Sequence, residues 1–352
     1  MNNSTQTPQN DDMLTVGELG ENEVLRRIIP LLPKASAAEL GPGDDAAILS
    51  VPSGKLVLTT DTMLHGPDFR LAWSSGFDLG FKAAVSNLAD VVAMGARPTG
   101  LLIALGCPDN TTVDFLQDFG RGISAAIAEL APGCGVLGGD LTNSETFTIA
   151  ITAMGELIGA PVLRSGAQVG DTLAVAGVLG HASAGISMLF HRGVDADGKP
   201  DAERAAVLKE DFPLVLSAQL RPQPPFAAVL AVCEPDAPLR PNAMLDLSDG
   251  LLKDALRISR ASSVALRLDP EQIRHEASLL AELVPEFADY AEGIVLGGGE
   301  DHSLLATFPA GNLPAGFRAI GTVTEGSGVF LGEKAVAEIG WDAFTQWDGD
   351  LG

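Results

Sequence analysis

Apolar residues recur along the chain at two spacings, and the spacing predicts which segments are helices and which are strands. Residues 77–94 carry apolar side chains every three or four positions, which predicts a helix with one buried stripe. Residues 146–158 alternate between apolar and polar side chains, as a half-buried strand does. The helices predicted in this way are 21–32, 77–94, 113–130, 182–190 and 251–260; the strands are 55–61, 100–105, 146–158, 172–176, 243–247, 264–268, 303–308 and 317–323.

These elements alternate irregularly, with a break at Gly159-Ala160-Pro161 after which the alternation starts again. The chain has 352 residues, about twice the usual size of one domain. We therefore predict an α+β protein of two domains, an N-terminal α/β domain over residues 17–159 and a C-terminal α+β domain over residues 160–352. Residues 1–16 have no apolar run, which predicts a disordered tail rather than a secretory signal.

The charge of the chain excludes some classes of partner. Its 46 acidic residues outnumber 22 basic ones, which gives a net charge of −24. Such a surface repels nucleic-acid backbones and anionic lipid headgroups, so we predict neither nucleic-acid nor membrane binding. A phosphorylated ligand would approach this protein only with metal cations between them.

The cysteines and the apolar stretches indicate a cytoplasmic protein. The most apolar long stretch, residues 148–163, is interrupted by Glu156 and alternates like a strand, so no membrane span is predicted. Cys107, Cys134 and Cys233 are scattered and odd in number, which fits neither a disulfide framework nor a zinc site. A reducing compartment suits these thiols best.

Two glycine-rich segments match nucleotide-binding motifs only superficially. Residues 133–138 have the GxGxxG spacing, but a strand rather than a helix follows, so we interpret this segment as a turn. Residues 193–199 have the glycine and lysine spacing of a Walker A loop, yet Pro200 stands at the Ser/Thr position and the loop follows a helix. We attribute this second match to chance.

Many acidic residues stand at the ends of predicted elements or next to glycines. Each has an ordinary explanation by itself, as a solvated turn, a loop cap or a helix N-cap. Together they point to several hard cations, because Mg²⁺ prefers carboxylate oxygens and bridges phosphates. No HExxH pattern is present to suggest zinc. The residues that the acid pattern singles out are Asp44, Asp45, Asp61, Asp90, Asp140, Asp246 and Asp249, with Thr59 and Thr60 as further oxygen donors.

Motifs in a fixed order over residues 17–344 resemble those of the thiamine-monophosphate kinase family. The matching segments are Gly43-Asp44-Asp45-Ala46-Ala47, Thr60-Asp61-Thr62, Asp78-Leu79-Gly80-x-Lys82-Ala83, Asn87-Leu88-Ala89-Asp90, Ala93-Met94-Gly95-Ala96, Gly138-Gly139-Asp140, Arg164-Ser165-Gly166-Ala167, Asp246-Leu247-Ser248-Asp249-Gly250-Leu251 and Gly298-Gly299-Glu300-Asp301.

The resemblance implies an activity, a fold and an assembly. The activity is direct, Mg²⁺-dependent transfer of the γ-phosphoryl group of ATP to thiamine monophosphate, which gives thiamine diphosphate. The fold is the two-domain fold of aminoimidazole-ribonucleotide synthetase, and the assembly is a homodimer held by a shared β-barrel of the N-terminal domains. We expect the strands at 55–61 and 146–158 to form the interface, because open apolar edges need covering.

The resemblance also implies a role for each matching residue. The Mg²⁺ ligands are Asp45, Thr59, Thr60, Asp61, Asp90, Asp140, Asp246 and Asp249, and those that act in catalysis through the metal are Asp45, Asp61, Asp90, Asp140 and Asp246. The ATP-binding residues are Gly139, Asp140, Arg164 and Ser248. The residues on the thiamine side are Asp68, Glu300 and Trp341.

Four positions depart from the family pattern. Asp68 stands where a histidine is common, His302-Ser303 replaces Tyr-Glu, and Asn143 replaces an arginine. Asp68 could attract the positively charged thiazolium, or it could turn away while His65 contacts the phosphate, or both residues could lie in a mobile loop without either role.

Related enzymes of the same superfamily are the first alternative, but the features that they need are absent. Selenophosphate synthetase would need a reactive cysteine in an N-terminal glycine-rich loop, and hydrogenase-maturation carbamoyl dehydratase ends in cysteine, whereas this sequence ends Asp-Gly-Asp-Leu-Gly. A metal- or nucleotide-binding regulator without turnover is the alternative from another class.

Overall fold

The computed structural model of the chain describes residues 14–42 and 46–340. Its strands form two large sheets and one small pair. The N-terminal elements are α1 (Val16–Leu19), α2 (Glu21–Ile28), β1 (Ala38–Leu40), β2 (Ile48–Leu49), β3 (Leu56–Leu64), α3 (Gly76–Ala93), β4 (Ala96–Cys107), α4 (Val113–Leu130), β5 (Val136–Asn143) and β6 (Thr148–Leu157).

Four of these strands form a mixed sheet in the order β3-β6-β4-β5. Strand β6 is antiparallel to both β3 and β4, and β5 is parallel to β4. The connection from β4 to β5 runs through α4, as a parallel pair requires. Strands β1 and β2 form a separate two-stranded pair.

The C-terminal elements build a sheet of seven strands in the order β13-β12-β9-β11-β7-β10-β8. They are β7 (Thr172–Ala176), α5 (His181–Arg192), α6 (Ala202–Asp211), α7 (Pro213–Leu220), α8 (Phe226–Cys233), β8 (Ala243–Asp246), α9 (Leu251–Ser262), β9 (Ala265–Leu268), α10 (Pro270–Leu283), α11 (Ala291–Gly297), β10 (Leu304–Phe308), β11 (Arg318–Thr324), β12 (Gly328–Leu331) and β13 (Lys334–Ala335).

Helix α3 lies between the two sheets. It contacts β3, β4 and β6 of the four-stranded sheet, and it also contacts β8 of the seven-stranded sheet. The hydrophobic core around α3 continues into the second sheet through Met244 and Phe308. Although the predicted domain boundary near residue 160 falls between the strands of the two sheets, the two parts therefore share a core.

Glycines allow α3 and α4 to pack with their backbones in contact. A Cβ atom at Gly80 would lie 2.0 Å from the carbonyl oxygen of Phe119, and one at Gly122 would lie 2.1 Å from that of Phe77. Because no side chain fits at these positions, the two glycines set the distance between the helices.

Most predicted elements are confirmed, and residues 113–130 and 172–176 are confirmed to the residue. The predicted helix at 21–32 is too long, because α2 ends at Ile28 and a 3₁₀ turn containing Pro30 follows. The predicted tail is also too long: Val16 begins α1, and Thr15 caps it and pairs with Thr112. Residues 1–13 lie outside the described part of the chain.

Two further predictions were wrong. Residues 133–138 are not only a turn, since β5 begins at Val136 and includes Gly138. The segment 146–158 has no open edge, because β6 pairs on both sides, whereas β3 is an edge strand. None of the helices in the described ranges has both the length and the apolar composition that crossing a membrane requires.

Candidate active site

A row of polar side chains runs along the otherwise apolar helix α3. Asp78, Lys82, Ser86 and Asp90 recur every four residues, so they share one face of the helix. The side chains at positions 78, 82 and 86 each contact the C-terminal part of the chain, and position 90 opens onto a cavity shared by the two parts. We call this row the α3 polar face.

The first turn of α3 is tied to helices α6 and α7. Ser75 caps α3 in a capping box with Asp78. The carboxylate of Asp78 also pairs with Lys209 Nζ at 3.2 Å and with Arg221 Nε at 3.4 Å. This end of the α3 polar face therefore fixes the N-terminal and C-terminal parts against each other.

The last turn of α3 opens onto a cavity of about 480 Å³ between the two parts. Thr59, Asp90, Arg164 and Asp246 are among its lining residues. The hydroxyl of Thr59, on β3, donates a hydrogen bond to Asp90 Oδ2 at 2.8 Å. The cavity thus combines carboxylates from both parts with one arginine.

The carboxylates at this cavity repel one another. Burial raises the pKa of Asp90 to about 7, and the charges of Asp246 and Asp61 contribute in the same direction, while the hydrogen bond from Thr59 opposes it. Burial also raises the pKa of Asp61, and the charges of Asp246 and Asp249 add to that effect. Asp61, Asp90 and Asp246 therefore form one electrostatically coupled group, which a cation would stabilise.

His302 connects this acidic group to the α3 polar face. Its Nδ1 lies 3.2 Å from Asp246 Oδ2, and its Nε2 lies 2.9 Å from Ser86 Oγ. Burial opposes the charged form of the ring, but the hydrogen bond with Asp246 and the nearby carboxylates leave the pKa of His302 raised. His302, one of the residues that depart from the family pattern, thus lies inside the site.

A second cavity, of about 910 Å³, is lined by Glu300, the ion-pair partner of Lys82 on α3. Aromatic and acidic side chains line it, among them Asp68, Trp73, Phe190, Tyr290 and Glu300. Phe190 packs edge-on against Trp73, with ring centroids 5.0 Å apart. This lining suits a flat, positively charged ring.

Glu300 is held by donors from two different helices. Lys82 Nζ lies 2.6 Å from its Oε1, and Gln219 Nε2 donates to its Oε2 at 2.9 Å. Burial alone would raise the pKa of Glu300, but Lys82 and Gln219 hold it below its usual value. Glu300 is therefore an anion at neutral pH.

The backbone around Glu300 is strained. Glu300 has φ +67° and His302 has φ +50°, values that L side chains rarely adopt. Between them, the Asp301 carboxylate accepts hydrogen bonds from the N–H groups of Gly180 and Ala182 at 2.6 and 2.8 Å, at the start of α5. Such strain persists where the surroundings enforce it, often at functional sites.

The carboxylates of Asp68 and Asp249 already have hydrogen-bond or ion-pair partners within the chain. Asp68 lines the larger cavity while its Oδ2 accepts the Leu64 N–H at 2.7 Å. Asp249 pairs with Arg257 and with Lys253, the latter at 3.3 Å. Asp249 is thus neutralised by cations of the chain itself, unlike Asp90.

The predicted ATP residues Arg164 and Ser248 flank the seven-stranded sheet. Arg164 begins a 3₁₀ turn and lines the smaller cavity beside Asp246. Ser248 follows β8, and its carbonyl oxygen accepts the Glu300 N–H at 2.8 Å. The loop that carries Ser248 therefore links the two cavities.

Thr60 and Asp140 do not join the acidic group within one chain. The strand register places Thr60 beside Thr152, on the face of the four-stranded sheet opposite to Asp61. Asp140 is on that same opposite face, three strands from β3 or about 14 Å away. Gly139, beside it on β5, lies against the backbone of Ile103.

Asp45 and Trp341 lie outside the described residues. Within the described ranges, no three histidine, cysteine, aspartate or glutamate side chains converge closely enough to ligate one ion. The chemistry of Asp61, Asp90 and Asp246 nevertheless fits hard cations, because these carboxylates repel one another and the pKa values of Asp61 and Asp90 are raised even with His302 nearby.

The sequence interpretation assigned no role to Lys82, Ser86 or Gln219. Lys82 lies within a motif that we noted, and the four-residue spacing from Asp78 to Asp90 was a usable signal. Polar residues at that spacing on an apolar helix predict a second, polar contact surface.

Comparisons with known proteins agree with this geometry. The family described as AIR synthase related protein, N-terminal domain, matches residues 43–157, which include α3, α4 and the four-stranded sheet. Residues 43–157 therefore form an N-terminal domain of the AIR synthase-related class.

Relatives that match almost the whole chain identify the family to which it belongs. Thiamine-monophosphate kinase of Mycobacterium tuberculosis is 36% identical over 343 residues, which cover 96% of each protein. The crystal structure of thiamine-monophosphate kinase from Stenotrophomonas maltophilia has a TM-score of 0.71 and 29% identity, and the match covers 90% of this chain and 96% of that one. AaThiL complexed with AMPPCP and TMP has a TM-score of 0.68 and 30% identity, with 93% and 98% covered.

The chain belongs to the thiamine-monophosphate kinase family. It is an enzyme of that family, as the order of its motifs predicted.

Proposed function

We propose that this enzyme transfers the γ-phosphoryl group of ATP directly to thiamine monophosphate, which yields thiamine diphosphate and ADP. The observation that carries the proposal is a pair of cavities that α3 connects, since Asp90 lines one and Lys82 pairs with Glu300 in the lining of the other. One is lined by acidic residues and Arg164, and the other by aromatic residues and Glu300. Lys82 and Asp90 are about 12 Å apart along the helix, a distance that a phosphate chain could span.

The acidic cavity suits the phosphates of ATP and a bound metal. Asp61, Asp90 and Asp246, with Thr59, would hold Mg²⁺, which neutralises phosphate charge when bound. Arg164 would donate to a phosphate through its planar guanidinium group. We also assign Asp45, Asp249, Ser248 and Gly139 to this end, on the family resemblance.

The aromatic cavity suits the thiamine part of the acceptor. Glu300 is an anion there, and Asp68 adds a second carboxylate, so both would attract a cationic thiazolium ring. Tyr290, which is exposed, offers a ring surface for stacking, whereas the guanidinium of Arg70 already lies over Phe190. On the resemblance, Trp341 would close this end.

The transfer requires no covalent intermediate on the protein. The attacking phosphate oxygen is already anionic, so positioning and electrostatics carry the reaction. The three cysteines are buried, and burial raises the pKa of Cys134 to about 12 and of Cys233 to about 11. Such thiols are poor nucleophiles, and reduced thiols also support our placement of the enzyme in the cytoplasm.

The enzyme would act as a homodimer whose second copy contributes to the site. Leu58 and Leu102 lie on the same face of the four-stranded sheet as Asp140, with 60% and 40% of their surfaces exposed. A second copy would cover this face. Because Asp140 lies opposite to Asp61, it would reach an acidic group only in the partner subunit.

Complementation between inactive variants tests this arrangement. Asp140→Asn and Asp90→Asn should each inactivate the enzyme, but a mixture refolded together should regain activity, because mixed dimers hold one intact site. Asp90→Asn mixed with Asp246→Asn is the control and should stay inactive, since both changes fall on the same site. Recovery in neither mixture, or equally in both, would contradict the shared site.

The activity itself is tested by thiamine diphosphate formation from ATP and thiamine monophosphate. We expect strict dependence on Mg²⁺ and a loss of turnover of about a hundredfold or more in Asp90→Asn, because charge stabilisation in the transition state is lost. Asp114→Asn, an exposed acid on α4, is the matched control and should retain activity. Equal turnover in all three proteins, with tolerance to EDTA, would refute the metal assignment.

A further inference from the structure

Glu300 is contacted by two donors from different parts of the chain. Lys82 belongs to α3, in the N-terminal part, and Gln219 belongs to α7, in the C-terminal part. They bind different oxygens of the same carboxylate, at 2.6 and 2.9 Å. The orientation of Glu300 therefore depends on both parts of the chain at once.

Lys82 is placed where a lysine is costly without a partner. It is 4% exposed, and a buried ammonium group is strongly unfavourable unless it is paired. Glu300 supplies that charge, and the pair holds Glu300 in its anionic form. Lys82 thus contributes to the electrostatics of the larger cavity without lining it.

Gln219 is held in an unfavourable arrangement of its own. It is 3% exposed, its Nε2 donates to Glu300, and its Oε1 has no hydrogen-bond partner in the described part of the chain. The opposite amide orientation would place two acceptors against each other, so the donor must face Glu300. A leucine of similar size would avoid the unpaired oxygen. The contact with Glu300, and not a contribution to the stability of the fold, therefore explains why position 219 carries an amide.

We propose that Lys82 and Gln219 are positioning residues, which orient the carboxylate of Glu300 toward the larger cavity for recognition of the cationic ring of the acceptor. The two donors occupy part of the hydrogen-bonding capacity of the carboxylate and leave the remainder for the substrate. The inference rests on the proposed function and assigns a role to two residues beyond it.

Steady-state kinetics of Lys82→Met tests the role of the lysine. The KM for thiamine monophosphate should rise about tenfold, the factor expected when a hydrogen bond to a charged group is lost. The KM for ATP should change less than about twofold. The inhibition constant of unphosphorylated thiamine, used as a competitive inhibitor, should rise by the same factor as the KM for thiamine monophosphate, since binding of the ring and not of the phosphate is affected. Lys82→Arg, which keeps the charge, should recover part of the loss.

Lys209→Met is the matched control, because it removes another ion pair of the α3 polar face without touching Glu300. Its KM for thiamine monophosphate should equal that of the wild type. Gln219→Leu separates positioning from stability: its thermal midpoint should stay level or rise, while its KM for thiamine monophosphate rises. This variant also decides the question if Lys82→Met fails to fold.

The outcomes distinguish this inference from the proposed function. A wild-type enzyme that does not phosphorylate thiamine monophosphate overturns the proposed function. An active wild type with an unchanged acceptor KM in Lys82→Met or in Gln219→Leu overturns the positioning role. Equal increases of KM for ATP and for the acceptor would also overturn it, because they would indicate a general structural effect.

Discussion

Gly80 on α3 offers a quantitative test of how the site is supported. Replacement by alanine would place a Cβ atom 2.0 Å from the carbonyl oxygen of Phe119, whereas ordinary contacts begin at 3.4 Å. The helices must therefore separate locally by about 1.4 Å, because a backbone oxygen cannot rotate away. Such overpacking costs about 3 kcal/mol at the upper end of its usual range, and the better helix propensity of alanine offsets about 1 kcal/mol.

Gly80→Ala should therefore lower the free energy of unfolding by about 2 kcal/mol. At about 2–4 °C per kcal/mol for a unit of 150–250 residues, the thermal midpoint should fall by about 4–8 °C. The shift of α3 would also displace Lys82 and Asp90 on its other side. Because about 1 Å of misplacement can cost about a hundredfold in rate, kcat should fall more than the loss of stability explains.

Gly120→Ala on α4 is the matched control. A Cβ atom there would meet Ile28 Cγ2 at 3.5 Å, which is ordinary contact. Alanine should thus stabilise this helix by up to about 1 kcal/mol and leave kcat unchanged. Circular dichroism melts and turnover assays on both variants decide the matter. If Gly80→Ala melts at or above the temperature of Gly120→Ala with normal kcat, the proposed support of α3 by α4 is wrong.

Two further predictions concern buried groups. Burial raises the pKa of Asp301 from 3.8 to about 7, so the folded state holds a proton that the unfolded state releases, and the free energy of unfolding should fall as pH rises from about 4 to 7. Asp301→Asn should flatten this part of the dependence of the thermal midpoint on pH; an unchanged slope would contradict the assignment. Cys134 and Cys233 should react with iodoacetamide only as fast as the protein unfolds, and rapid alkylation of the folded enzyme would show that these thiols are accessible.

Continuous amphipathic segments were the most predictable part of the fold. Helix α4 and strand β7 match their predicted bounds because each has an uninterrupted period and clear ends. Strand β5 was missed because Gly138 and Gly139 supply no side-chain pattern, although they allow close backbone approach. The spacing of apolar residues does not determine the order of strands in a sheet. We therefore expected β6 to have an open edge, whereas it is an interior strand.

The acidic part of the candidate site was more predictable than its supports. Asp61, Asp90 and Asp246 were singled out near the ends of predicted elements, and the structure brings their charges close together, although β3 continues past Asp61 to Leu64. Lys82 and Gln219 act through Glu300, which lies far from both along the chain. No local spacing encodes such a contact, because tertiary packing alone creates it.

The stereochemical course of transfer shows whether the phosphoryl group passes directly from ATP to the acceptor. The enzyme would be given ATP that carries a chiral, isotopically labelled thiophosphoryl group at the γ position, together with thiamine monophosphate and Mg²⁺. We expect a product in which the labelled thiophosphoryl group is joined to the phosphate of thiamine monophosphate, with inverted configuration at phosphorus, because one direct in-line transfer takes place in the cleft. Retention of configuration would reveal an intermediate on the protein, and hydrolysis without this product would show that the cleft does not bring the two substrates together.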